Sequence, residues 1–169
     1  MFKSTRRLIF FIFDEVMWSK EETKKRRIEF YTNFGVYMKK HTPEYGAKIR
    51  WVNYRTEINS IKFKIESDKK HSRVCIDITN KDEGIREVFF EQFEEFKKIL
   101  SSKMNTLNWV KEYRIDSGIY IARIYTELNG PSINQESEWG DIYRFFEKNL
   151  VALHEFWQLS KDVFKDLEN

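Results

Sequence analysis

One cysteine, two prolines and six glycines in 169 residues leave little of the material that several protein classes require. The lone Cys75 excludes an intramolecular disulfide framework and a cysteine-rich zinc module; it fits a reducing compartment, so a cytoplasmic location is expected. With 41% hydrophobic residues and so little Gly and Pro, the chain is not a low-complexity or linker-like protein. Long apolar runs are missing too. The longest, Leu8-Ile9-Phe10-Phe11-Ile12-Phe13, falls far short of the roughly 18 residues that a membrane span needs. It follows Lys3, Arg6 and Arg7 in the manner of a secretory signal, yet it is shorter than a signal core of roughly 7–15 residues. Asp14-Glu15 also stand where small cleavage-site residues belong, so neither export nor membrane insertion is expected.

Several catalytic and cofactor signatures are likewise absent. There is no GxGxxG or GxxxxGK[ST] loop to cradle nucleotide phosphates on backbone N–H groups, and no GxSxG nucleophile elbow. His41, His71 and His154 fall in separate segments, none at a short ligand spacing from another His or Cys, and no HExxH occurs. No resident metal or cofactor is expected.

What the chain does have is charge and aromatic side chains. The net charge of +3 conceals an asymmetry: residues 1–85 carry 19 Lys and Arg against 12 acids, a balance of +7, and residues 86–169 carry 11 against 15, a balance of −4. A basic half attracts phosphates and an acidic half repels them, although charged positions most often form solvated faces. Aromatic residues make up 17% of the chain.

Ser19 with Glu22 three residues on is a capping box, in which hydroxyl and carboxylate satisfy each other's backbone N–H. Met17-Trp18-Ser19 therefore looks like a fresh beginning: residues 1–16 are read as an N-terminal extension upstream of the natural start, and residues 17–169 as a single globular domain. A helix is predicted over residues 20–40, its stripe formed by Ile28, Tyr31, Phe34, Tyr37 and Met38, with Lys24, Lys25, Arg26 and Arg27 clustered before it. From residue 48 the period changes to two. Residues 50–54 are predicted as one strand. Ile61, Phe63 and Ile65, and then Val74, Ile76 and Ile78, form a hairpin about the polar turn 67–72. Lys62, Lys64 and Arg73, with Asp77 among them, take its other face. Asn80 with Glu83 opens a second helix along Ile85, Phe89, Phe93, Phe96 and Leu100, acidic outside. Residues 107–115 and 119–128 form two further strands about Asp116-Ser117-Gly118. The segment 138–167 repeats apolar residues as one long helix or two consecutive ones. The expected fold is α+β in the order α-β-β-β-α-β-β-α: a mostly antiparallel five-stranded sheet with three helices packed on it.

Two constellations point to chemistry. Asp68-Lys69-Lys70 is a D-x-K string, and metal-dependent nucleases hold Mg²⁺ between paired acids while a lysine supports the attacking water. Glu66 and Asp77 would be the partner acids of Asp68 and Lys70. The string lies in a turn, however, where Asp and Lys are ordinary. The second constellation has more physical content. Arg50, Trp51, Tyr54, Arg55, Lys62, Lys64 and Arg73 would lie on neighbouring strands, and a sheet bearing aromatic and basic side chains stacks bases and neutralises phosphates.

Ser19-Lys20-Glu21-Glu22, Glu29-Phe30-Tyr31, Phe34-Gly35, Trp51-Val52-Asn53-Tyr54-Arg55-Thr56, Phe89-Phe90-Glu91-Gln92-Phe93 and Phe156-Trp157, in this order, resemble the bacterial family catalogued as domain of unknown function 4268. The resemblance covers about residues 17–167. It implies a stand-alone domain or a C-terminal companion of nuclease-like domains, and through that association a nucleic-acid context. It supplies no catalytic residues. The leading expectation is a binding or accessory domain for nucleic acid or for a nucleic-acid-processing partner such as a nuclease-like protein. A divergent Mg²⁺-dependent nuclease and a homo-oligomerisation module held by surplus aromatics are the alternatives.

Overall fold

A computed structural model of the chain describes residues 18–168; the expected extension 1–16 and the start at Met17 lie outside them. Eight regular elements follow one another: helix α1 (Lys20–Tyr37), strands β1 (Ile61–Ser67) and β2 (His71–Ile78), helices α2 (Glu83–Glu95) and α3 (Lys97–Lys103), strands β3 (Asn108–Arg114) and β4 (Tyr120–Asn129), and helix α4 (Trp139–Glu168). Short 3-10 turns, Met38–His41 and Glu136–Glu138, follow α1 and precede α4. The strands form one antiparallel sheet in the order β1-β2-β4-β3. The α+β class and antiparallel sheet are as expected, but the described residues form four strands and four helices in place of five and three. No described helix is long and apolar enough to cross a membrane.

The missing strand is residues 50–54, which form a turn. A strand would send Trp51 and Tyr54 to opposite faces. Here both rings turn the same way onto His154 of α4, with centroids 5.5 and 5.7 Å away, and Arg50 and Arg55 are left exposed. The following residues are tied down as well. The Trp157 indole N–H donates to the Thr56 carbonyl, the Thr56 hydroxyl donates to the Ile61 carbonyl, and Glu168 accepts from the N–H groups of Asn59 and Ser60.

The extra helix arises at Phe96. Its N–H donates to the carbonyl of Phe93, three residues back, which tightens the turn and ends α2. The Phe96 ring then packs on Phe156 and Phe164 while α3 leaves in a new direction. Asp82, rather than Asn80, caps α2 by accepting from Ile85 N–H, and Asn80 caps nothing but orders the turn before it.

Helix α1 has the capping box expected from Ser19 and Glu22. Of the expected stripe Phe34 and Met38 are buried and Tyr31 and Tyr37 pack against the core, but Phe30 takes the inward place expected of Ile28, which is 60% exposed. Phe30 wins the inward position because its ring meets Trp139, Tyr143 and Phe146 of α4. A box of this kind is worth about 1 kcal/mol, and burying each large apolar side chain about 1.5–3 kcal/mol, so packing rather than capping holds the helix in place.

Helix α4 is one continuous element lying through the middle of the core. Its first half receives α1. Its second half presents Phe156, Trp157 and Phe164 to Phe93, and Trp157 also meets Phe63 of β1 edge to face. Among the described aromatic side chains only Tyr45 and Tyr120 are largely exposed, and most of the others pack in the core.

Candidate functional site

The sheet has one face under the helices and one that they leave open. Ile61, Phe63 and Ile65 of β1 pair across to Ile78, Ile76 and Val74 of β2, and Ile76 pairs to Ile124 of β4; these side chains turn to the helices. The alternate residues form rows on the open face: Lys62, Asp77 and Arg123, then Lys64, Cys75 and Tyr125, then Glu66, Arg73 and Glu127.

The first row holds a buried charge cluster. Asp77 is 0% and Arg123 2% exposed. The Arg123 guanidinium donates to Asp77 from Nε (2.7 Å) and Nη2 (2.8 Å), and to Glu66 from Nη1 and Nη2 (both 3.0 Å). Lys64 closes on Asp77 at 3.3 Å. Burial alone pulls the guanidinium's proton affinity down, but the hydrogen bonds to Asp77 and Glu66 outweigh it, and Arg123 is held more firmly charged than free arginine. Isolated, a buried cation would cost several kcal/mol; two bidentate carboxylates make it tolerable.

Tyr113 covers the cluster, with its ring 4.4 Å from the Arg123 guanidinium carbon. It reaches this face through a β-bulge. Between Val110 and Tyr113 the strand β3 advances three residues while β4 retreats two, from Arg123 to Ile121. The extra residue switches the side of every position after it. Beside the cluster Arg73 pairs with Glu127 and lies 5.2 Å from the Tyr125 ring. Burial pushes the Cys75 thiol far up, so it is no nucleophile at neutral pH.

Helix α1 and the turn at 52–54 rise along the β1 edge, and together with this face they enclose an open groove of about 770 Å³. Arg27 and Tyr31, one helical turn apart on α1, form one wall; Asn53 and Tyr54 extend it; Lys62, Lys64 and Arg73 line the sheet; Tyr113 and Asp116 lie on the far side. Arg27 and Lys62 have no salt-bridge partner among the described residues. Tyr54 is fixed by its hydroxyl, 2.6 Å from Nδ1 of His154. Burial raises the Tyr54 phenol to about 12 and lowers His154 below its ordinary value, so both are neutral at pH 7.

Of the basic and aromatic residues expected to act together, the fold gathers Arg27, Tyr54, Lys62, Lys64 and Arg73 at this groove. It does not gather the others. Lys24 and Lys25 do not line the groove: Lys24 stands one turn before Arg27 on the same side of α1 but beyond the groove's end, Lys25 stands on the opposite side of the helix, and Arg26 stacks over Trp18 at 4.1 Å. Trp51 is buried, and Arg50 and Arg55 do not line the groove.

The acids expected for a Mg²⁺ site are committed elsewhere. Glu66 and Asp77 both serve Arg123, and Asp68 accepts from the N–H groups of Lys70 and His71 in the hairpin turn. Those two N–H groups hold the Asp68 carboxyl below its usual value against the opposing effect of burial. Lys70 contributes its backbone to the turn and does not line the groove. Among the described residues no group of three or more His, Cys, Asp and Glu side chains is arranged to hold a metal ion. The donor set does not fit Mg²⁺, because its carboxylates already accept hydrogen bonds from a guanidinium or from backbone N–H groups and do not converge on one point.

Arg123, Tyr113, Tyr31 and Asn53 are the residues of this region that sequence reasoning missed. A charge at an interior position of an apolar strand, as in Ile121-Ala122-Arg123-Ile124, was the available signal for the first. Tyr113 had none, because the bulge is invisible without the pairing.

In comparison with protein families, residues 26–161 fit the family described as Domain of unknown function (DUF4268). The chain belongs to that family. The stretch matched to DUF4268 contains every residue that lines the groove, from Arg27 to Arg123, and omits the capping box of α1. No curated protein matches the chain.

Proposed function

We propose that this DUF4268 protein is a binding module for nucleic acid, alone or as the accessory partner of a nucleic-acid-processing protein, and that the groove between α1 and the open sheet face is its contact surface. One observation carries the reading: Arg27 and Lys62, both exposed and without salt-bridge partners among the described residues, share a concave surface with Lys64, Arg73 and the rings of Tyr31, Tyr54 and Tyr113. Unpaired cations beside aromatic rings suit phosphates and bases. The buried, inert Cys75 agrees with a cytoplasmic setting.

Binding is favoured over cleavage because Glu66, Asp68 and Asp77 are held by other partners. The test is fluorescence anisotropy with DNA and RNA of mixed sequence at low ionic strength, followed by a salt titration. A few phosphate contacts give log K falling with log salt at a slope of about −0.7 to −0.9 per contact. No detectable binding at low salt overturns the proposal.

A further inference from the structure

We infer that the groove takes an unpaired nucleotide and rejects duplex, an inference that rests on the nucleic-acid reading above and names the form of ligand it takes. Three observations carry it.

The first is size. A volume of about 770 Å³ lies inside the roughly 300–1,000 Å³ of small-ligand pockets, enough for one or two nucleotides. A duplex is a stiff convex rod that proteins engage with an inserted helix or strand, or along an extended basic surface. Here the cations lie within a concavity walled by α1 and the turn at 52–54.

The second is the arrangement of charge. Arg27 and Lys62 are uncommitted among the described residues, while Asp68 and Asp116 also line the groove and Glu66 stands beside Arg123, its side chain 41% exposed. A duplex laid across this surface would bring several phosphates against those carboxylates. A single phosphate held at Arg27 or Lys62 meets that cost at fewer points.

The third is the aromatic lining. Tyr31, Tyr54 and Tyr113 are each part-buried and line one groove, so each leaves some ring surface to it. Tyr54 is fixed by His154, and Tyr113 lies over Arg123, so a base would meet surfaces already in place. Bases are available for such stacking only when unpaired. Arg123 acts chiefly as a positioning residue: most of its N–H groups are occupied by Asp77 and Glu66, and it fixes the floor on which Lys62 and Lys64 stand.

The experiment compares three probes on the full chain by fluorescence anisotropy at low salt: a dye-labelled single strand of about a dozen nucleotides, within the usual footprint of single-strand binders; a blunt hairpin of matching composition; and a nucleoside monophosphate as competitor. The expected result is at least tenfold tighter binding of the single strand than of the hairpin, with displacement by millimolar mononucleotide. Arg27→Glu and Lys62→Glu each weaken single-strand binding at least tenfold, and Lys25→Glu, on the opposite side of α1, leaves it within about twofold, the residual effect of a screened exposed charge. Cross-linking a 4-thiothymidine strand is expected to mark peptides containing Tyr31, Tyr54 or Tyr113. Equal affinity for hairpin and single strand, both weakened by Arg27→Glu, overturns this inference and leaves the groove as a nucleic-acid surface. Binding that survives Arg27→Glu and Lys62→Glu but falls with Lys25→Glu overturns both, and so does the absence of binding to every probe.

Discussion

The two faces of the sheet are covered by opposite means. On the helix side, strand residues such as Phe63, Ile76 and Ile124 meet a layer of rings in which Phe93, Phe156, Trp157 and Phe164 pack at centroid distances of 4.3 to 6.4 Å. On the open side, Asp77 is as deeply buried as any of these, yet what covers it is charge: Arg123 and Lys64, beneath Tyr113. Apolar packing is non-directional and tolerates exchange of one ring for another. The ionic cover is directional and tolerates no unpaired member. The open face therefore keeps fixed geometry without a layer of protein over it, and its outermost cations stay accessible.

Breaking each cover in turn sharpens the contrast. Phe93→Ala opens a cavity in the ring layer and is expected to cost about 3–5 kcal/mol, read as a lower urea midpoint. Arg123→Met strands Asp77 and is expected to cost about 3 kcal/mol, while adding Asp77→Leu to it recovers most of that loss. A double variant no more stable than the single one would mean that the ionic cover is not what fixes this face.

A smaller effect, visible only in acid, is expected at Glu147 on α4. Burial opposes its ionisation, but hydrogen bonds from Lys40, Tyr37 and His41 hold its carboxyl down at about 2, against an ordinary 4.5. A carboxyl lowered by folding stabilises the protein above its unfolded value, and that contribution is lost as pH falls from about 4.5 towards 2. Glu147→Gln should therefore be less stable than wild type at neutral pH, with the two melting temperatures converging across that window. The smallest change is at the rim: Ser19→Ala removes a cap and costs about 1 kcal/mol, measurable as fraying of α1 by hydrogen exchange.

The helix-side face was largely readable from the amino-acid order. Period-two runs at 61–65 and 74–78, the glycine at 118 and the repeat through 138–167 each reflect local preference and a single buried side, and each reappears in β1, β2, the β3–β4 turn and α4. The groove was readable only in part. Lys62, Lys64 and Arg73 follow from strand alternation, and Arg27 and Tyr54 belonged to the basic and aromatic set, but Lys24, Lys25, Arg50 and Arg55 do not join them. Which side of α1 faces the β1 edge depends on Phe30 fitting α4, a long-range choice. The turn at 50–54 was misread as a strand for the same reason: Trp51 and Tyr54 answer to His154, a hundred residues away, and not to their neighbours.

The bulge in β3 gives the chain a point of unequal tolerance to length change. Removing either Lys111 or Glu112 would shorten the strand by one residue and restore plain alternation beyond it. Tyr113 would then turn toward the helices, and the guanidinium of Arg123 would lose its aromatic lid to water. Lys111 and Glu112 thus act as a spacer in addition to what their side chains do, Lys111 pairing with Glu87 and lying over the Phe90 ring, and for Tyr113 their number matters more than their identity.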